Sequence, residues 1–184
     1  MKHPLHEAIG KELENLQGPL KMRAILSPEC GGKKDIPLFI KEPKSAGTEI
    51  CNVDAMVIKD GKIKIIIEIE ESDTKPTQIC GKYLTSNLAE LYAYKKSEKI
   101  GIDMASVMFI QILDMKGFSK KSSKSKQFDH IEKAINDVID TARLSKFNLG
   151  CIKKYKIIKI DSSRLKTSST LFADFINSIK DGIE

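Results

Sequence analysis

Three features of the chain predict an α/β fold. Segments with helical periodicity alternate with strand-like runs, and Asp60-Gly61 marks a tight reversal between two such runs. Two stretches, Ile65-Ile66-Ile67 and Ala105 to Leu113, are apolar at nearly every position. A strand covered on both faces reads in this way, because no side of it meets water. At 184 residues the chain is long enough for one domain, 1–184, with a substantial core.

The first element is an amphipathic helix over 5–17, with Leu5, Ala8, Ile9, Leu13 and Leu16 on one stripe and Gly18-Pro19 as its stop. Glu12 falls inside that apolar stripe, whereas Glu7 and Glu14 lie on the far side. A glutamate facing a core calls for a partner, either a lysine at the stripe's edge or something more specific. Residues 20–27 and 36–41 are weaker strand candidates, separated by the glycine- and proline-containing loop that starts at Ser27. A hairpin spans 49–71. Pro76 then opens a helix that runs to about Lys96, because proline is favoured in the first turn and Ile79, Tyr83, Leu84, Leu88, Leu91 and Tyr92 supply an apolar face. Ala105 to Leu113 is a central strand, 117–126 a basic loop, 127–146 a long helix, 151–161 a strand and 170–180 a last amphipathic helix.

The hairpin carries the chemistry. Asp54 lies on one arm, and Glu68 and Glu70 lie on the other. Lys59-Asp60-Gly61 fits a three-residue loop with glycine at the left-handed bulge position. In that register residue 58 pairs with 62, 56 with 64 and 54 with 66, so Asp54, Glu68 and Glu70 share a face. A two-residue turn would pair 54 with 67 and put Asp54 on the opposite side. Clustered carboxylates on a half-buried face repel one another and lose hydration, and a hard divalent cation offsets both costs. A surface hairpin with an acidic outer face is the plain alternative.

Asp54 followed on the next strand by Glu68-Ile69-Glu70 resembles the metal motif of the PD-(D/E)XK nuclease superfamily. The motif's proline is absent, and Glu70 stands where most members carry lysine; some restriction endonucleases of the superfamily also use glutamate there. The resemblance covers roughly 5–113. It implies a central mixed β-sheet flanked by helices, a restriction-endonuclease-like core. It also implies that Asp54, Glu68 and the Ile69 carbonyl bind Mg2+ (or Mn2+), with Glu70 as general base or ligand of a second ion. Many members place an acid from the first helix near the metal, a role that falls here to Glu12. Some carry their positive charge on the helix after the hairpin. Lys82, which shares a face with Gln78, would then do the work of the motif lysine, although an ordinary surface lysine reads the same way.

Net charge is +6, and its distribution is uneven. Five lysines and no acid lie between Lys116 and Lys126, and seven basic residues against Asp161 alone lie between Lys146 and Lys166. Lys75, Lys120, Lys121, Lys124, Lys126, Lys153, Lys154 and Lys156 are the expected phosphate contacts, set against an acidic pocket. A solvated lysine-rich surface is the plain alternative.

Other chemistries find little support. Cys30, Cys51, Cys80 and Cys151 contain no C-x-x-C pair and read as reduced thiols, so zinc is not expected. His3, His6 and His130 suggest no nucleophilic triad, Gly31-Gly32-Lys33 lacks the spacing of a phosphate loop, and the absence of tryptophan argues against an RNA-stacking module. No run is long and apolar enough to span a membrane, and Met1 to His6 lacks the apolar core of a signal peptide, so a cytoplasmic location is expected.

The expected function is a metal-dependent DNA endonuclease, most like a type II restriction enzyme, acting on double-stranded DNA as a homodimer. The rival expectations are a non-catalytic nucleic-acid-binding or assembly subunit with a degraded site, and a repair or junction-resolving nuclease.

Overall fold

The computed structural model describes residues 3–42, 44–71, 74–94, 98–118, 123–147, 149–167 and 170–184. Its elements run in the order α1 (Pro4–Leu20), β1 (Arg23–Leu26), β2 (Ile36–Phe39), β3 (Glu49–Val53), β4 (Ala55–Lys59), β5 (Lys62–Glu70), α2 (Pro76–Asn87), β6 (Leu91–Tyr94), β7 (Glu98–Gly101), β8 (Val107–Asp114), α3 (Ser123–Leu144), β9 (Ile152–Ile160) and α4 (Ala173–Ile183). A mixed five-stranded sheet has the order β1-β4-β5-β8-β9, and a smaller sheet has the order β3-β2-β6-β7. In the larger sheet β1, β4 and β5 pair antiparallel, whereas β5-β8 and β8-β9 are parallel. The fold is thus α/β, as the sequence predicts.

Both faces of the large sheet are covered, which accounts for the apolar runs. Ile65, Ile67 and Ile69 point into a core shared with Leu5, Ile9 and Leu13 of α1 and Phe175, Ile179 and Ile183 of α4. Ile66, with Phe109 of β8 and Tyr155 of β9, faces the opposite core, which holds Ile79 of α2, Phe128 and Ile139 of α3, and Ile36, Leu38 and Tyr92 of the small sheet.

The hairpin departs from the expected register in an instructive way. Lys59 pairs with Lys62, so the turn has two residues, Asp60 and Gly61, both with positive φ (53° and 73°). Two left-handed residues in succession are the type I′ geometry, whose twist matches the flanking strands. Alone, this turn would split Asp54 from the glutamates. A β-bulge corrects the parity: Ile58 pairs with Ile63 but Val57 pairs with Ile65, so Lys64 is extra. Beyond the bulge Met56 pairs with Ile66 and Ala55 with Ile67. Continued by one residue, that register sets Asp54 opposite Glu68. The shared face is right, but turn and bulge produce it together rather than a three-residue loop.

Other boundaries move for tertiary reasons. The first arm of the expected hairpin is two strands: β3 pairs with β2 in the small sheet, and β4 enters the large one after a bend at Asp54. Helix α1 continues through Gly18-Pro19 to Leu20 and closes on a left-handed Lys21, whose N–H reaches Gly18 O while that of Met22 reaches Gln17 O. A proline in the last turn forfeits only one helical hydrogen bond, so the stop signal acts late. Helix α2 ends at Asn87, well short of Lys96. The Asn87 amide donates to Leu149 O (2.9 Å), its Oδ1 accepts from Ile152 N (2.9 Å), and its carbonyl accepts from Cys151 N. Leu91 and Tyr92, read as helix face, instead form β6 against Phe39 and Leu38. The expected loop 117–126 is helical from Ser123 onward, so Lys124 and Lys126 lie in α3; Lys120 and Lys121 lie outside the described residues.

The seat of α1 tolerates no added side chain. A Cβ on Gly10 would stand 1.9 Å from the backbone carbonyl oxygen of Cys30, an atom fixed in a short 3-10 turn. Gly10→Ala is therefore expected to lower stability by about 1–3 kcal/mol through overpacking. Urea denaturation checks this, and an unchanged midpoint would show that α1 does not seat as described.

Candidate functional site

The site lies at the carboxyl end of β5, where four elements meet. β5 supplies Glu68 and Glu70, and the bend before β4 supplies Asp54. Helix α2 supplies Lys82, held in place because its neighbour Tyr83 packs edge-on against Phe109 (6.3 Å) and Tyr155 (5.5 Å) while Ile79 is fully buried. The start of α1 supplies His6.

Glu68 and Glu70 are 2 % and 8 % exposed, an unusual state for carboxylates at neutral pH. Lys82 Nζ lies 2.8 Å from Glu68 Oε2, which accepts its hydrogen bond, and 2.9 Å from Glu70 Oε1. The second contact is an ion pair without hydrogen-bond alignment, and Glu70 Oε1 has no hydrogen-bond partner. One ammonium thus serves two buried carboxyl groups. Burial pushes the Glu68 carboxyl up to about 8, the nearby Lys82 charge opposes that rise, and the Asp54 carboxylate, within hydrogen-bonding range, adds to it. Lys82 is raised: burial disfavours its charge, but the two glutamates outweigh burial. These directions conflict if both glutamates are taken as ionised. Burial and the neighbouring Asp54 carboxylate both favour the protonated form of Glu68, and the Lys82 ammonium works against them.

Asp54 is the reverse case. Burial alone would raise its pKa, but the His6 imidazole, the Ile69 N–H and the Lys82 charge together hold it below the ordinary carboxylate value. Its Oδ2 accepts from Ile69 N at 2.7 Å. Because the N–H and C=O of a strand residue point to the same side, the Ile69 carbonyl also faces the β4 side of β5. His6 sits between two acids. Its Nδ1 is 2.9 Å from Glu71 Oε1, its backbone N–H donates to the same oxygen at 2.8 Å, and its Nε2 is 3.6 Å from Asp54 Oδ2. Burial opposes a charged imidazole there, yet the carboxylates of Asp54 and Glu71 prevail and raise its pKa.

Asp54, Glu68, Glu70, Ile69 and Lys82 are therefore neighbours. Glu12 is not among them: it is half-buried, about 9 Å along α1 from His6, and makes no ion pair or hydrogen bond among the described residues. The helix does deliver a side chain, but it is His6. The available signal was a histidine adjoining the apolar stripe between Leu5 and Ile9, where it is buried at 7 % exposure. Gln78 caps α2, its Oε1 accepting from Lys75 N at 2.8 Å, rather than entering the site.

Of the expected phosphate contacts, Lys75, Lys126, Lys153 and Lys154 are exposed. Lys124 lies over the Phe118 ring at 4.9 Å. Lys156 is engaged with Glu132 at 3.0 Å. All four cysteines are free thiols, and no helix among the described residues is long and apolar enough to cross a membrane.

The buried glutamate has a pH consequence. A folded-state pKa above the ordinary 4.5 means that the folded protein keeps a proton the unfolded chain has released. Glu68 thus costs stability progressively as pH rises from about 5 to about 8, and its cost is constant above that window. Glu68→Gln keeps the shape and removes the titration. Its melting temperature is expected to fall less than that of the native protein across this window; parallel pH profiles would contradict the assignment.

No family model, curated protein or solved structure matches this chain.

Proposed function

We propose that the chain is a metal-dependent DNA endonuclease, acting on double-stranded DNA as a homodimer, with its centre at Asp54, Glu68, Glu70 and Lys82. The observation that carries this is the meeting of three acids and one lysine at the carboxyl end of β5, the combination the PD-(D/E)XK resemblance calls for. The lysine arrives from α2 instead of from position 70.

The residues fit a hard divalent cation such as Mg2+ or Mn2+. The acidic groups offer oxygen donors, Glu70 Oε1 is buried without a hydrogen-bond partner among the described residues, and burial holds the Glu68 pKa up despite the Lys82 charge, which a divalent ion would add to. Asp54, Glu68 and the Ile69 carbonyl would hold the ion. Bound there, it would supply an activated water and neutralise charge on a phosphodiester.

The chain's own groups would do the rest. Asp54 is already ionised and is oriented by the Ile69 N–H. Glu70, whose Oε1 meets only the Lys82 ammonium and has no hydrogen-bond partner among the described residues, would accept the proton of the attacking water. Lys82 would lend its ammonium to the scissile phosphate, as a compact point charge does at such sites. Exposed Lys75, Lys153 and Lys154 would contact the DNA backbone. Two-strand cleavage calls for two such centres, which a symmetric pair of chains provides.

One observation favours a second reading. Lys82 already answers both glutamates without an ion, as it would in a nucleic-acid-binding subunit that has lost catalysis. Cleavage separates the two. With Mg2+ or Mn2+, supercoiled plasmid is expected to be nicked or linearised, and chelation abolishes this. Asp54→Asn and Glu68→Gln are each expected to slow the reaction by at least about 100-fold, the low end for removing a positioned acid–base group. Plasmid bound but uncut, with no response to metal, would leave only the binding subunit. Structure-dependent cuts in place of discrete fragments would assign a repair or junction-resolving enzyme.

A further inference from the structure

Among the described residues, one trio of histidine, cysteine or acidic side chains brings its ligand atoms within 4.8 Å of one another: His3, His6 and Glu71. None of the three is a proposed ligand of the nuclease ion, although His6 faces Asp54. His3 and His6 are three residues apart at the start of α1, a spacing that puts both rings on one face, and their rings meet edge-on with centroids 5.3 Å apart. Glu71 directly follows Glu70, so it points away from the Glu68 and Glu70 side of β5, toward α1.

The geometry is that of a ligand set. Glu71 Oε1 is held by the His6 backbone N–H at 2.8 Å, which fixes the carboxylate before any ion arrives. Glu71 Oε1 and His6 Nδ1 stand 2.9 Å apart, so a small separation toward the ~3.4 Å of two tetrahedral ligands each about 2.1 Å from an ion would admit one between them. Behind the ring, His6 Nε2 faces the Asp54 carboxylate at 3.6 Å. A carboxylate behind a ligating imidazole is the usual second support of a histidine metal site. His3, Glu7, Lys11, Glu14 and Glu29 line an open groove of about 580 Å³, so the trio is approached from its His3 side, while His6 is buried and Glu71 half-buried. The positive end of α1 opposes a cation here, but Glu71, Asp54 and the groove's own acids counter it.

We propose that His3, His6 and Glu71 form a site for a divalent transition-metal ion of the zinc class, distinct from the oxygen-lined site of Asp54 and Glu68. Two imidazoles with one carboxylate suit Zn2+ or Co2+ and disfavour Mg2+, which seeks oxygen ligands. The ion would replace the direct His6 Nδ1–Glu71 Oε1 contact and tie the start of α1 to the end of β5. The sequence argument against zinc rested on the cysteines; this site uses none.

The three histidines make the test internally controlled, because His130 lies far along the chain, exposed on α3. Zn2+ titrated into the full chain should shift the ring nitrogen signals of His3 and His6 in NMR spectra, leave those of His130 in place and raise the melting temperature. Excess Mg2+ should not reverse these changes. His3 is exposed, so His3→Ala should fold normally and weaken Zn2+ binding by more than about tenfold, the least expected for losing a direct ligand. Glu68→Gln should bind Zn2+ as the native protein does, which separates this site from the nuclease centre. Equal shifts at all three histidines, no shift at His6, or unchanged affinity in His3→Ala would each overturn the proposal.

Discussion

The bulged residue in β5 decides where every acid at the end of that strand points. Lys64 has no partner on β4, and pairing it with Val57 in unbroken alternation would rotate Glu68 and Glu70 onto the α1 face, among Leu5 and Ile9. It would also turn Ile67 and Ile69 toward α2 and Lys82. Since strand side chains alternate with period two, no local adjustment beyond the bulge could repair that exchange. The meeting of Asp54 with Glu68, the burial of both glutamates and their contact with Lys82 all follow from one extra residue. The tight type I′ turn makes the bulge necessary, because the turn by itself sets the wrong parity.

Once the acids share a face, their charge must be balanced. The cluster uses three devices. A backbone N–H and an imidazole favour the ionised form of Asp54, one ammonium is divided between two glutamates, and burial raises the pKa of Glu68. The cluster is satisfied only in part: among the described residues Glu70 Oε1 lacks a hydrogen-bond partner, and so does the Nε2 of Gln111, the β8 residue in register with Glu68. A purely structural acid pair would be expected to complete its hydrogen bonds, since a half-satisfied buried network is costly. Partial satisfaction at a strand end is compatible with a site that takes a ligand.

Much of the fold was legible because it rests on local pattern. The doubly covered β5 and β8 announced themselves as apolar runs, and α1, α3 and α4 followed helical periodicity. What escaped depends on contacts distant in sequence. The small sheet was missed because Leu91 and Tyr92 suit a helix as well as a strand, and only the pairing of β6 with Phe39 and Leu38 decides between them. The helix end at Asn87 depends on hydrogen bonds to Leu149, Cys151 and Ile152, more than sixty residues away. Within the site, Asp54, Glu68 and Glu70 could be read from alternation. His6 could not, because Glu71 and Asp54 are its partners only after α1 has folded across the end of β5.

The central claim is that Asp54 and Glu68 converge on one side of the sheet and form a cation site. A crystal grown or soaked with Mn2+ and measured at a wavelength where manganese scatters anomalously tests it directly. The account predicts an anomalous peak in contact with the Asp54 and Glu68 carboxylates, and Lys82 moved off Glu68. A peak confined to His3, His6 and Glu71, no peak at all, or Asp54 and Glu68 on opposite faces of β5 would contradict it.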